Sequence, residues 1–113
     1  MKEERFSEYR IMWIFVLFDL PTETKKERKL AAQFRKDIMR DGFTMFQFSI
    51  YVRHCASMDN AEVHMKRVRA LLPETGKICM FTLTDKQFAN IETFYGKKCK
   101  EPAKPTYIQL ELF

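Results

Sequence analysis

Asp19 closes an unbroken apolar run, Ile11 to Phe18, and is followed by Leu20-Pro21. A carboxylate at the point where a buried strand reaches the rim of a sheet has two uses. It can hydrogen-bond its own backbone ahead of a proline, the common duty of a turn aspartate. It can also act as a hard oxygen ligand for Mg²⁺, which takes one or two carboxylates and fills its other positions with water and phosphate oxygens. One carboxylate per chain is few for that purpose. A two-fold axis passing nearby would supply the second, so a metal role for Asp19 goes together with a homodimer.

Cations follow closely. Lys25, Lys26 and Arg28 begin the face of a helix that continues through Lys29, Arg35, Lys36 and Arg40, diluted by Glu23, Glu27, Asp37 and Asp41. Such a face is often only solvated, but its nearness to Asp19 favours phosphate binding. Lys97, Lys98, Lys100 and Lys104 form a second cluster opposed only by Glu101, suited equally to solubility and to nucleic-acid contact. Between residues 43 and 53, Gln47, Ser49, Tyr51 and Arg53 alternate with Phe46, Phe48, Ile50 and Val52. The polar set is either the outer face of a half-exposed strand or a hydrogen-bonding row for nucleic acid near the rim. Ser49 has no base and orienting carboxylate in the pattern, so it is no hydrolytic nucleophile. His54 and His64 stand isolated, and three glycines cannot build a phosphate-binding loop. The methionines read as core fillers.

These residues need a scaffold, and the bulk composition allows one. With 113 residues, 46% apolar and including 11 Phe, the chain makes one domain with a real core. The net charge of +5 favours a polyanionic partner. Cys55, Cys79 and Cys99 have neither disulfide-framework nor zinc spacing, and Cys79, inside an apolar run, reads as buried. No stretch reaches the ~20 apolar residues of a membrane span. The charged start, Lys2 to Arg5, is unlike a signal peptide. A cytoplasmic protein without membrane partners is expected.

Along the chain, a polar lead-in at 1–10 precedes a central strand, Ile11–Phe18, apolar on both faces. Thr24 and Glu27 form a capping box for a helix to Arg40, with Leu30, Ala31, Phe34 and Ile38 as its stripe and Gly42 as its left-handed end. Residues 43–54 alternate like a strand but offer no Gly, Pro or Asn turn, leaving one bent strand or two short ones meeting near Ser49. Asp59 and Glu62 cap a second helix whose stripe is Ala61, Met65, Val68 and Leu72. Ile78–Leu83 is another strand buried on both faces. Thr84 and Gln87 cap a helical turn bearing Phe88, Ile91 and Tyr95. A Lys/Pro linker, 96–105, leads to a terminal strand, 106–113. This order predicts an α+β, ferredoxin-like sandwich (βαββαβ) over 11–95 with an extra C-terminal strand. Two helices cover one sheet face only. The second apolar face then calls for another copy, giving a homodimer packed through its sheets with the terminal strand free to pair with the partner.

Phe15-Val16-Leu17-Phe18-Asp19-Leu20-Pro21 with the Lys25-Lys26-Glu27-Arg28 helix start, Gln47-Phe48-Ser49-Ile50-Tyr51 and Thr84-Asp85-Lys86-Gln87-Phe88 resemble the small CRISPR-associated adaptation protein family, Cas-two. The helix start and the Gln-Leu-Glu-Leu-Phe tail are most similar to members accompanying type II systems. The resemblance, over residues 11–113, implies a ferredoxin-like homodimer with a Mg²⁺-dependent endonuclease site in which Asp19 holds metal. It also implies a bridge between dimers of the CRISPR integrase subunit that holds protospacer DNA, a role that needs no cleavage by the bridge. Arg28, Ser49 and Tyr51 fall on the family's motif positions. Met45 stands where ribonuclease members often carry a basic residue, which favours DNA bridging over RNA cleavage. The alternatives are a free-standing metal-dependent ribonuclease or toxin-like nuclease, and a non-catalytic RNA-binding module. The module fits less well, because the polar strand row offers only Tyr51 for base stacking.

Overall fold

The computed structural model describes residues 10–97; the rest of the lead-in, most of the 96–105 linker and the expected 106–113 strand lie outside the described residues. Strand β1 (Met12–Asp19) is followed by helix α1 (Lys25–Arg40), strands β2 (Thr44–Gln47) and β3 (Ile50–Cys55), helix α2 (Met58–Ala70), strand β4 (Lys77–Thr84) and helix α3 (Asp85–Ala89). The strands form one sheet in the order β2-β3-β1-β4, with every neighbouring pair antiparallel. This is the expected ferredoxin-like α+β sandwich.

β1 is an inner strand, and its alternation feeds two cores. Met12, Ile14, Val16 and Phe18 join Phe34 and Ile38 of α1 and Ala61 and Val68 of α2 under the helices. Trp13 and Phe15 point to the other face, where they pack with Val52 and Phe88. Phe88 stacks on Trp13 at 3.8 Å between ring centroids, and the Trp13 indole Nε1 donates to Asp85 (2.8 Å). Short helix α3 therefore covers one end of the second face. The other end stays open: Phe81, stacked on Phe15, is 42% exposed, and Cys79 beside it is exposed rather than buried. β4, expected to be buried on both faces, is an edge strand whose second face is covered only near Leu83, by Phe88 of α3, among the described residues.

Local signals set the helix ends. Thr24 caps α1 with the full capping box, and Thr84 with Gln87 repeats the device on α3. α2 begins differently from expectation, because Ser57 rather than Asp59 or Glu62 is its N-cap and accepts from the Asn60 amide. A serine hydroxyl reaches that amide directly, while Asp59 sits in the first turn, where its charge complements the helix dipole. Leu30 and Leu72, assigned to the buried stripes, are each 45% exposed. The question over 43–54 resolves into two strands. Gln47 pairs with Ile50 across a two-residue turn, Phe48-Ser49, with Ser49 at φ +64° and Phe48 exposed at the tip. No helix among the described residues is long and apolar enough to cross a membrane.

Candidate metal and phosphate site at the Asp19 rim

Asp19 is the last residue of β1 and is exposed. By strand alternation it continues the series Trp13, Phe15, Leu17 and so faces away from α1 and α2. Its carboxylate makes no hydrogen bond or ion pair with any described residue. The turn-aspartate role thus goes unused, and the oxygens are available to a cation or to water. Two chain segments bracket it. On one side the Phe18 amide donates to the Ser49 carbonyl (3.1 Å), bringing the β2–β3 turn to the rim. On the other, Asp19 lies in register with Lys77, the first residue of β4.

Gly76 sets the second approach. It has φ +96°, and a Cβ built there would lie 2.5 Å from Leu20 Cδ2 and 3.0 Å from the Asp19 carbonyl oxygen. Only glycine allows the chain to turn so close to the Asp19-Leu20 backbone. Gly76→Ala should therefore cost about 2–4 kcal/mol, combining left-handed strain with overpacking. A urea unfolding midpoint unchanged from wild type would show that the rim does not depend on this approach.

The basic helix start lies within about 20 Å of Asp19 by chain length alone. Lys25 and Lys26 are exposed there. Arg28 is exposed too, but its Nη1 donates to the carbonyls of Thr22 and Glu23 (3.0 Å each), tying the β1–α1 connection to the helix. The Glu27 carboxylate accepts from the amides of Glu23 and Thr24 in the same connection (3.0 and 2.9 Å).

The polar row of β3 is placed otherwise than expected. Tyr51 is 1% exposed, in the core beneath the helices, with its ring stacked on Phe18. It is a core residue, not a surface contact for nucleic acid. Arg53 is half-buried, and its guanidinium donates to the carbonyls of Asp41 (2.8 Å) and His54 (2.7 Å). It braces the end of α1 against β3 instead of facing a ligand. Of that row, Gln47 and Ser49 lie at the hairpin end beside the rim, Gln47 exposed and Ser49 half-buried.

His64, which looked isolated, is buried and engaged. Its Nδ1 donates to Asp41 Oδ2 (2.8 Å), while Arg67 Nη1 donates to Oδ1 (2.9 Å). Burial pushes the Asp41 carboxyl up. The hydrogen bonds from His64 and Arg67 and their charges outweigh it, holding the group below the usual carboxylate range. Burial raises the Cys55 thiol, making it an inert core group. His54 meets the Trp13 edge and joins no carboxylate among the described residues.

A divalent cation can be tested against this donor set. No three His, Cys, Asp or Glu side chains gather as a metal-binding group among the described residues. A free exposed carboxylate beside cations that can hold phosphate satisfies the smallest Mg²⁺ requirement, one carboxylate with water and phosphate making up the rest. The residues fit the ion as a half-site.

Gly76 and Lys77 were absent from the sequence-predicted set. Gly76 reads in sequence only as punctuation, and Lys77 gains meaning only when β4 pairs antiparallel with β1.

Comparison with known proteins agrees with the fold. The family profile for CRISPR associated protein Cas2 matches residues 12–91, from the start of β1 to just beyond α3. A CRISPR-associated endoribonuclease Cas2 of Flavobacterium psychrophilum is 62% identical over 109 residues, spanning 96% of this chain and 94% of the relative. A protein of the same name from Parvibaculum lavamentivorans is 52% identical over 90% of this chain and its own full length. A solved structure, described as a crystal structure of cas2, superposes with a TM-score of 0.54 over 81% of this chain and 93% of that one. Its 14% identity speaks to the fold alone. With the profile covering the whole sandwich and two relatives above half identity, the chain belongs to the CRISPR associated protein Cas2 family.

Proposed function

We propose that this chain is a subunit of the CRISPR spacer-acquisition complex, a homodimer that bridges integrase subunits and holds protospacer DNA, with a Mg²⁺-dependent endonuclease site at Asp19. The observation that carries the reading is the unengaged Asp19 carboxylate at a rim bordered by Ser49 and Lys77 and followed by the basic start of α1. The open end of the second sheet face, with Phe81 exposed, supports a second copy packed there. Bound at Asp19, a divalent cation supplies charge neutralisation for a phosphodiester and a water of lowered pKa. The chain's own part is to hold that ion through Asp19 and to fix backbone phosphates through Lys25, Lys26 and Arg28. A ribonuclease is the second reading, favoured by the endoribonuclease names of the relatives. Exposed Met45 in place of a basic residue weighs against it.

An acquisition assay separates the two. In cells carrying the integrase and a repeat array, Asp19→Ala should leave spacer insertion intact. Its loss would make cleavage necessary and favour the nuclease reading. Lys25→Glu/Lys26→Glu should weaken duplex DNA binding and flatten the salt dependence by about 0.9 in log–log slope for each phosphate that is no longer neutralised. Adding Arg28→Glu should weaken it further. Unchanged affinity and slope in the double variant would place the DNA elsewhere.

A further inference from the structure

We propose that Lys77 is a phosphate-anchoring residue of the Asp19 site, holding a nucleic-acid backbone phosphate next to the carboxylate; this rests on the functional reading above. Lys77 and Asp19 are directly opposed in the antiparallel β1–β4 ladder. Residues so paired carry their side chains on the same sheet face, with Cβ atoms about 4.5–5.5 Å apart. Both are exposed.

Despite that proximity neither side chain forms an ion pair or hydrogen bond with any described residue. An ammonium and a carboxylate are thus set side by side with their polar ends unspent. The position of Lys77 is also fixed. Gly76, just before it, packs against Leu20 and the Asp19 carbonyl, so the start of β4 cannot drift from the end of β1. α1's cations hang from a different element; Lys77 is tied to Asp19 by the sheet itself.

A phosphodiester approaching Asp19 meets a like charge. Lys77 offsets that repulsion with three donors on a flexible stem, suited to a single non-bridging oxygen. The contact needs no metal. It orients the phosphate so that its other oxygens face the Asp19 carboxylate, where a cation can join them.

Binding of a short DNA duplex, measured in EDTA over a range of salt, tests this. Lys77→Ala should lower affinity about tenfold near 0.1 M salt and reduce the log–log salt slope by about 0.9. Lys77→Arg should restore most of both, and Asp19→Asn should raise metal-free affinity. Lys86→Ala removes the same charge at the opposite end of β4 and should leave the slope unchanged. Thermal melts of the Lys77 variants should match wild type, since an exposed, unpaired lysine adds little to stability. If wild type binds and Lys77→Ala keeps its affinity and slope, the assignment of Lys77 falls while the wider reading stands. A lowered melting temperature with unchanged binding would give Lys77 a purely structural role and overturn the proposal. If wild type itself binds no duplex, both fall together.

Discussion

Asp19→Ala is expected to abolish Mg²⁺-dependent cleavage by the purified protein while leaving its fold intact. A metal ion bound at a phosphodiester contributes several kcal/mol of transition-state stabilisation, and each ~1.4 kcal/mol is tenfold in rate, so loss of its carboxylate should cost at least about 10²-fold. The fold should not respond, because the Asp19 side chain is exposed and bonds to no described residue. Exposed, unengaged positions generally change stability by no more than about 0.5 kcal/mol. The check is a Mg²⁺ titration of cleavage on RNA and DNA, with circular dichroism melts of the same samples. Undiminished cleavage in the variant would assign the activity to another site or to a contaminant.

Asp41→Ala should produce the largest loss of stability away from that rim. One residue joins three segments: its carboxylate accepts from His64 and Arg67 of α2, its carbonyl accepts from Arg53 of β3, and its amide closes α1. His64 is only 6% exposed, so truncation strands a buried imidazole donor. Stranding such a group costs about 1–3 kcal/mol, and losing the contact to Arg67, whose side chain is 59% exposed, adds up to about 1 kcal/mol. A loss of about 2–4 kcal/mol is expected, a large share of the ~5–15 kcal/mol that typically holds a domain together. The acid dependence follows from the lowered Asp41 carboxyl. A group whose folded pKa lies below its unfolded value, near 3.9, adds stability that is fully present above that value and disappears as pH falls through the folded one. Urea midpoints of wild type and variant should therefore differ most above pH ~4 and converge on further acidification. A gap of constant size down to the lowest pH would show that the ionised carboxylate is not what His64 and Arg67 hold.

What the sequence announced was local. The capping boxes at Thr24 and Thr84, the alternation around Val52, and the closing aspartate of β1 depend on neighbours a few residues away, and each is present in the structure. What it withheld depends on distant pairing. Asp41 and His64 are 23 positions apart, and nothing in either segment marks the other. Ser49 holds a left-handed turn conformation that glycine or asparagine usually signals, so the hairpin was invisible as a turn. Tyr51 was read as polar because of its hydroxyl and its Gln and Ser neighbours, yet β3 has apolar company on both faces and its ring went to the deeper one. Of the candidate site, Asp19, Lys25, Lys26 and Ser49 were readable from motif and spacing. Lys77 waited on the order of strands in the sheet.

β1 is apolar on both faces, and this bears on how the sheet finds its alignment. A half-exposed strand that slips by one residue turns its hydrophobic side to water, which penalises the error. A slip of β1 would instead swap Ile14 and Val16 for Trp13 and Phe15 and still bury greasy side chains on each side. Correct alignment must then be enforced at the strand's end, by the Ser49 turn, by the tight seat of Gly76, and by Asp19 itself. Shifted by one, the carboxylate would swing beneath the helices, where an unpaired charge is prohibitively costly. The acidic group that closes β1 thus also works as a punctuation mark in folding, disfavouring misaligned chains without adding to the stability of the aligned one.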